Sequence, residues 1–344
     1  MRINGKGYIA SVIFLVVFAV VSLWKVKGNQ ILYQHNEGLI FGTVYHITYQ
    51  YSEDLQSEIN ALLKRFDKSL SPFNEESIIA AINRNDTTVR VDEYFKTVFN
   101  RSKEIYVASE GAFDPTVSPL INVWGFGFSK ADDITPFKID SLLQMVGMDK
   151  ISLLNGKVIK KDRRMTLNFS AIAKGYSCDI VADFLDSKGI ENYIVEIGGE
   201  IVAKGKNEKG KCWQVGIDKP ILNTAGVTNE IECIASLCNG AMATSGNYRN
   251  FYIKDGRKYA HTIDPREGCP VQRDILSATI VAPDAMTADA YATAFMVLGS
   301  EEAKSLCAKV PGLEYFIICS DSIGGGYHTE YSEGFRRYMV TADK

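Results

Sequence analysis

Asp289 and Thr293 stand four residues apart in the run Thr287-Ala288-Asp289-Ala290-Tyr291-Ala292-Thr293-Ala294. On a helix that spacing places a carboxylate and a hydroxyl on one face. The alanines between them leave room for close approach. Two hard oxygen donors suit Mg²⁺, which keeps several waters and shares oxygens with a substrate phosphate. The same residues also suit a plain helix start, with Thr287 as N-cap, Asp289 in the first turn and Thr293 in the core.

A second group is Ser170-Ala171-Ile172-Ala173-Lys174-Gly175-Tyr176. Read as a strand handing over to a helix, it offers free N–H groups, the positive end of a helix and a lysine, a combination that favours an anion such as phosphate. Taken alone, the segment is better read as an ordinary helix start capped by Ser170, with a solvated lysine. His261-Thr262-Ile263-Asp264-Pro265 sets one of four histidines near a carboxylate. It can be a general base or phosphate contact, or a structural turn. Gly111 to Thr116 and Asn122 to Gly127 mix aromatics with glycines, which suits a slot for a planar ring or plain core packing. Gly198-Gly199-Glu200 reads first as a tight turn.

These groups need elements to carry them. Leu39 to Tyr51 alternates like a strand. Leu55 to Leu70 and Tyr94 to Ser109 have helical patterns. Leu167-Asn168 ends a strand, and Ala171 to Ser187 forms a helix stopped by Gly189. Tyr193 to Ile197 and Ile275 to Ala282 are strands, and Thr287 to Leu298 is a helix. Strands and helices mix without a regular βαβ period, so the fold class is α+β.

The chain has 344 residues, 46% hydrophobic and 23% charged, with a net charge of -3. That composition is globular, and the charge argues against a nucleic-acid partner bound through a broad basic surface. Residues Tyr8 to Trp24 carry no charge and are flanked by Arg2, Lys6, Lys25 and Lys27. This run suits an uncleaved membrane anchor or a signal segment. The expected division is therefore 1–29 as anchor or signal and 30–344 as one catalytic body, held at the bacterial inner membrane on the periplasmic side. The seven cysteines include no C-x-x-C pair; in an exported body some can pair, and the odd count leaves at least one over.

Taken together and in order, these stretches resemble the ApbE-type FAD:protein FMN transferases, a flavin transferase family. The resemblance rests on Phe41 to Tyr45, Gly111 to Gly127, Ala171 to Asp179, Ile197 to Glu200, Ala243 to Arg249, His261 to Pro265 and Ala288 to Ala294. It implies a T-fold-like body that binds FAD with Mg²⁺ at its diphosphate. It implies transfer of FMN to a threonine hydroxyl of a target flavoprotein, such as a subunit of a membrane redox complex, with release of AMP. By motif, Asp289, Thr293 and the Ala171 carbonyl would hold the metal. Phe41, Phe73, Ala112, Phe113, Asp114, Asn168, Lys174 and Ile263 would contact FAD. His261 would lie near the reacting phosphate, and His261 or Asp264 would take the threonine proton. Phe41, Phe73, Asn168 and Glu200 stand where the family more often has Met, Tyr, Asp and Asp. A Mg²⁺-dependent FAD pyrophosphatase would use the same site, and a non-catalytic flavin-binding protein would bind FAD and leave it intact.

Overall fold

Burial alternates along the strands of the computed structural model, and this alternation sorts the chain into layers. The structure describes residues 32–127, 134–220, 230–247, 251–254, 257–321 and 326–340. The candidate anchor at 8–24 lies outside them. Among the described residues, no helix is long and apolar enough to cross a membrane.

The strands used here are β1 (Tyr33–Ile40), β2 (Thr43–Gln50), β3 (Tyr193–Ile197), β4 (Glu200–Lys204), β5 (Trp213–Asp218), β6 (Ile231–Leu237), β7 (Asn239–Gly246), β8 (Ile275–Ala282), β9 (Glu314–Ser320) and β10 (Tyr327–Tyr331). The principal helices are α1 (Gln56–Leu70), α2 (Glu93–Ala108), α3 (Ala173–Ser187), α4 (Ala285–Leu298) and α5 (Ser300–Lys309). Eight strands form one sheet in the order β1-β2-β3-β4-β7-β8-β9-β10, with every neighbouring pair antiparallel. Strands β5 and β6 form a separate antiparallel pair.

The period of two explains the two cores. Val195, Ile197, Ala243, Ile280, Ile317 and Cys319 face the helices and join Phe66, Phe95, Val181 and Phe295 in the main core. Ile201, Met242, Val281, Phe316 and Ile318 face the other way. They pack on Trp213, Ile217 and Leu237 of the β5–β6 pair and on Phe335. Helices on one face of an antiparallel sheet make this an α+β body, as the element pattern predicts. Cys212 and Cys238 form a disulfide joining the start of β5 to the end of β6.

Several elements differ from the sequence pattern. The strand expected over Leu39 to Tyr51 is a hairpin, because Phe41 (φ 53°) and Gly42 (φ 74°) turn the chain between β1 and β2. Two successive positive φ angles are what a two-residue hairpin turn requires, and Phe is an unusual residue to supply one. Leu167-Asn168 ends no strand. Its backbone groups are taken elsewhere: the Leu167 N–H donates to Asn83 Oδ1, the Leu167 carbonyl accepts from Asn83 Nδ2, and the Asn168 N–H donates to the Pro115 carbonyl. Helix α3 begins at Ala173, after Ile172 and with no side-chain cap, so Ser170 is not its cap. Helix α4 begins two residues before Thr287, because Asp284 caps it.

Candidate functional site

Helix α4 is buried along nearly its whole length, so its alanines serve packing on every side. Within it, Asp289 is only 3% exposed. An apolar helix that buries a carboxylate needs a reason. Gly175 of α3 provides part of it: its N–H donates to Asp289 Oδ2 at 3.1 Å. A Cβ at Gly175 would collide with the Ala285 carbonyl and stand 2.9 Å from the Asp289 Cβ. Glycine is what lets the two helices approach this closely.

Two more carboxylates fix the start of α4. Asp284 Oδ1 accepts from the Thr287 N–H (2.7 Å) and hydroxyl (2.6 Å). Asp179 of α3 accepts from the Ala285 N–H (2.7 Å) and the Met286 N–H (2.8 Å). Arg101 of α2 donates to Thr287 Oγ1 at 2.7 Å. Asp289 is thereby aimed by contacts one turn away from it.

Burial pushes the Asp179 carboxyl up to about 7; the two N–H donors oppose the shift, and Asp284 and Asp183 add to it. The folded chain therefore holds this proton more tightly than the unfolded chain. The stability gained from it is complete below about pH 4 and is lost as pH rises through 7. Urea unfolding from pH 4.5 to 8 is expected to show a decline that is smaller in Asp179→Asn by on the order of a few kcal/mol, the remainder coming from Asp114 and Glu200, which burial also pushes up, to about 6 and about 8. Parallel pH curves for the two proteins would refute the assignment.

Lys174, one residue before Gly175, points between two acids. Its Nζ donates to Glu200 Oε1 and lies 3.8 Å from Asp289 Oδ1. Burial alone would drag the lysine pKa down, but Asp289 and Glu200 more than reverse this and hold the ammonium charged. Asp289 is itself pushed up by burial, against the pull of Lys174. Two buried carboxylates thus face one ammonium. Glu200, 3% exposed, has an Oε2 that is buried with no hydrogen-bond partner among the described residues. Burial, with Asp289 adding to it, pushes the Glu200 carboxyl up to about 8 against the pull of Lys174, and its orphaned oxygen is a large cost when nothing satisfies it. Thr293 Oγ1 lies 3.4 Å from Ser245 Oγ of β7, which adds a second hydroxyl. This all-oxygen donor set fits a hard divalent cation, whose charge would favour the ionised form of both carboxyls.

The cluster opens into a cleft of about 960 Å³ between the sheet, the β5–β6 pair and the loops before α3. That is large enough for a dinucleotide. Ala112, Phe113, Asp114, Asn168, Ala171, Lys174, His261, Ile263, Asp289 and Thr293 all line it. Sequence motifs from Ala112 to Thr293 are brought to one cleft. Glu200, read from sequence as a turn residue, lines the same cleft as the partner of Lys174.

Three residues named from the family motif do not line the cleft. Phe41 packs on Phe66, with ring centroids 5.5 Å apart. Phe73 is 68% exposed. Asp264 is buried and bound by Arg266 through both oxygens, at 3.0 and 2.8 Å, with Arg273 at 3.6 Å. Burial raises its pKa, yet the two guanidinium groups outweigh that and hold it below the usual carboxylate range. Such a carboxylate is a poor proton acceptor and serves the turn. The aromatic slot is also narrower than the sequence implies. Phe113 lines the cleft, while Trp124 is buried in a satellite core and donates to the Gly268 carbonyl at 2.8 Å.

Residues 41–317 match the model of the ApbE family. The chain belongs to that family. It is 36% identical over 322 residues to the FAD:protein FMN transferase of Haemophilus influenzae, covering 89% of this chain and 91% of that one. The Escherichia coli K12 FAD:protein FMN transferase is 30% identical over 318 residues, 89% of each chain. The solved flavin transferase ApbE from Vibrio cholerae superposes with a TM-score of 0.79 at 33% identity, covering 89% of this chain and 99% of that structure. The apo flavinyl transferase ApbE of Pseudomonas stutzeri gives 0.79 at 28% identity, over 90% and 98%. The shared fold of these ApbE proteins is a mixed α and β body like the one described above.

Proposed function

We propose that this chain moves FMN from FAD onto a threonine hydroxyl of a partner protein and releases AMP. The reading rests most on one observation: Lys174, held between Glu200 and Asp289, lines a dinucleotide-sized cleft together with both acids and Thr293, and one Glu200 oxygen there has no partner among the described residues. In this proposal Lys174 and the positive end of the α3 dipole face the diphosphate; the N–H groups of Ser170, Ile172, Ala173 and Gly175 are already donated within the protein, to Asn168, Phe169, Phe169 and Asp289. Asp289, Thr293 and the Ala171 carbonyl are the groups that would hold Mg²⁺. A bound Mg²⁺ supplies charge neutralisation and alignment to phosphoryl transfer. Phe113, Asn168 and Ile263 line the wall along which the nucleotide would lie.

The threonine oxygen bonds to the FMN-side phosphorus as the bond from that phosphorus to the bridging oxygen breaks. AMP leaves with the bridging oxygen, and the hydroxyl proton goes to a base. His261 lines the cleft, whereas Asp264 is committed to two arginines, so His261 is the assigned base. Charge neutralisation and positioning supply most of the rate.

The test is to incubate the chain with FAD, Mg²⁺ and a candidate exported flavoprotein, then run a denaturing gel. A fluorescent flavin band on the target supports transfer. FMN and AMP formed with the target unlabelled would favour the pyrophosphatase reading instead. We extend the proposal to 8–24 as a membrane anchor holding the body outside the cytoplasm, next to membrane redox complexes as targets. Recovery of full-length chain in the soluble periplasmic fraction would overturn that extension.

A further inference from the structure

Away from the cleft, the antiparallel pair β9–β10 at one end of the large sheet gathers a second set of metal-type donors. Cys319 faces His328 in register, and Ile317 faces Glu330. His328 and Glu330 are two apart, so both share the face of Cys319. Cys319 is 1% exposed beneath them, while His328 is exposed. One donor atom from each of the three lies within 4.8 Å of the others. None of the three lines the cleft.

The imidazole is oriented at both nitrogens. Nδ1 is 2.7 Å from Asp321 Oδ1, and Nε2 is 3.2 Å from Glu330 Oε1. A carboxylate on one histidine nitrogen is the usual support for a metal on the other. Two ligands of a tetrahedral zinc, each about 2.0–2.1 Å from it, stand about 3.3 Å apart. The Nε2 to Oε1 separation already matches that edge. Lys304 of α5 holds the other Glu330 oxygen at 3.0 Å and is itself held by Glu301 at 2.6 Å. Glu330 thus presents Oε1 toward the imidazole with its second oxygen satisfied.

We propose that Cys319, His328 and Glu330 form a binding site for a zinc-like divalent transition metal, with Asp321 orienting the histidine. The donor set is mixed sulfur, nitrogen and oxygen, which suits Zn²⁺ or Co²⁺ and is poor for Mg²⁺. Three protein ligands leave a fourth position for water. The site clamps β10, the last strand of the sheet, to β9. Burial, with Asp274 and Glu330, pushes the Cys319 thiol up to about 12, and Lys304 opposes this. The metal must therefore displace the thiol proton on binding.

The test is titration of the full chain, in Mg²⁺-containing buffer, with Co²⁺ alone. One Co²⁺ per chain with a sulfur-to-cobalt charge-transfer band is expected, and Zn²⁺ should abolish the band. Cys319→Ser should lose the band. His328→Gln should weaken Co²⁺ binding at least tenfold and Asp321→Asn about tenfold. His328 lies on the surface, so its variant keeps the fold even if the Cys319 variant does not. Flavin transfer should be unchanged in His328→Gln. Absence of the band, its survival in Cys319→Ser, or unaltered Co²⁺ affinity in His328→Gln would each overturn the site, leaving a surface ion-pair network of Asp321, His328, Glu330 and Lys304.

Discussion

Asp289→Ala is expected to lower flavin transfer on the order of 10³-fold, because a metal on a phosphoryl group contributes several kcal/mol to its transition state. The same variant should fold. It relieves the burial of a carboxylate that lies 3% exposed, and this offsets the loss of an acceptor for the Gly175 N–H. Asp289→Asn separates the two roles. It keeps an acceptor for Gly175 but removes the charge, so its melting temperature should stay near that of the unaltered chain while transfer falls almost as far. Target labelling in a denaturing gel with calorimetry on the same samples reads both. Near-normal transfer in either variant would overturn the proposal that Asp289 holds a metal.

Gly175→Ala should damage both the packing of α3 on α4 and the chemistry of the site. The added carbon meets the Ala285 carbonyl, a backbone atom at the start of α4, and stands 2.9 Å from the Asp289 Cβ. Backbone cannot rotate away, so α3 and α4 must separate. Overpacking of this kind costs about 1–3 kcal/mol and sometimes more. The larger effect is on chemistry. Asp289 and Lys174 sit on the two helices being forced apart, and a shift of about 1 Å at a reacting centre can cost about 10²-fold. A lower melting temperature with transfer down by that factor is the expected pair of results. An alanine variant that melts and reacts like the parent would mean that the α3–α4 contact does not set the site.

The family motifs were legible because each carries several chemical types in a fixed order, as in Gly111 to Gly127 and Ala288 to Ala294. The i, i+4 relation of Asp289 and Thr293 was legible too, since helix geometry alone places both on one face. Periodicity found α1, α2, β3 and β8 within one or two residues. It failed at Phe41-Gly42 and at Leu167-Asn168. In the first, a bulky residue takes a positive φ; in the second, side chains rather than a ladder satisfy the backbone.

The sequence by itself determined the α+β class, the family and the residue types available for a phosphate-handling site, because those follow from local pattern and residue chemistry. Tertiary structure alone decided which candidates share a cleft. It drew Asp264 to Arg266 and Arg273, set Phe41 on Phe66, and turned Glu200 from a turn residue into the half-satisfied partner of Lys174. The physical reason is that a charge's role depends on what lies within a few ångströms and on how much water remains there. Neither quantity is written in spacing along the chain.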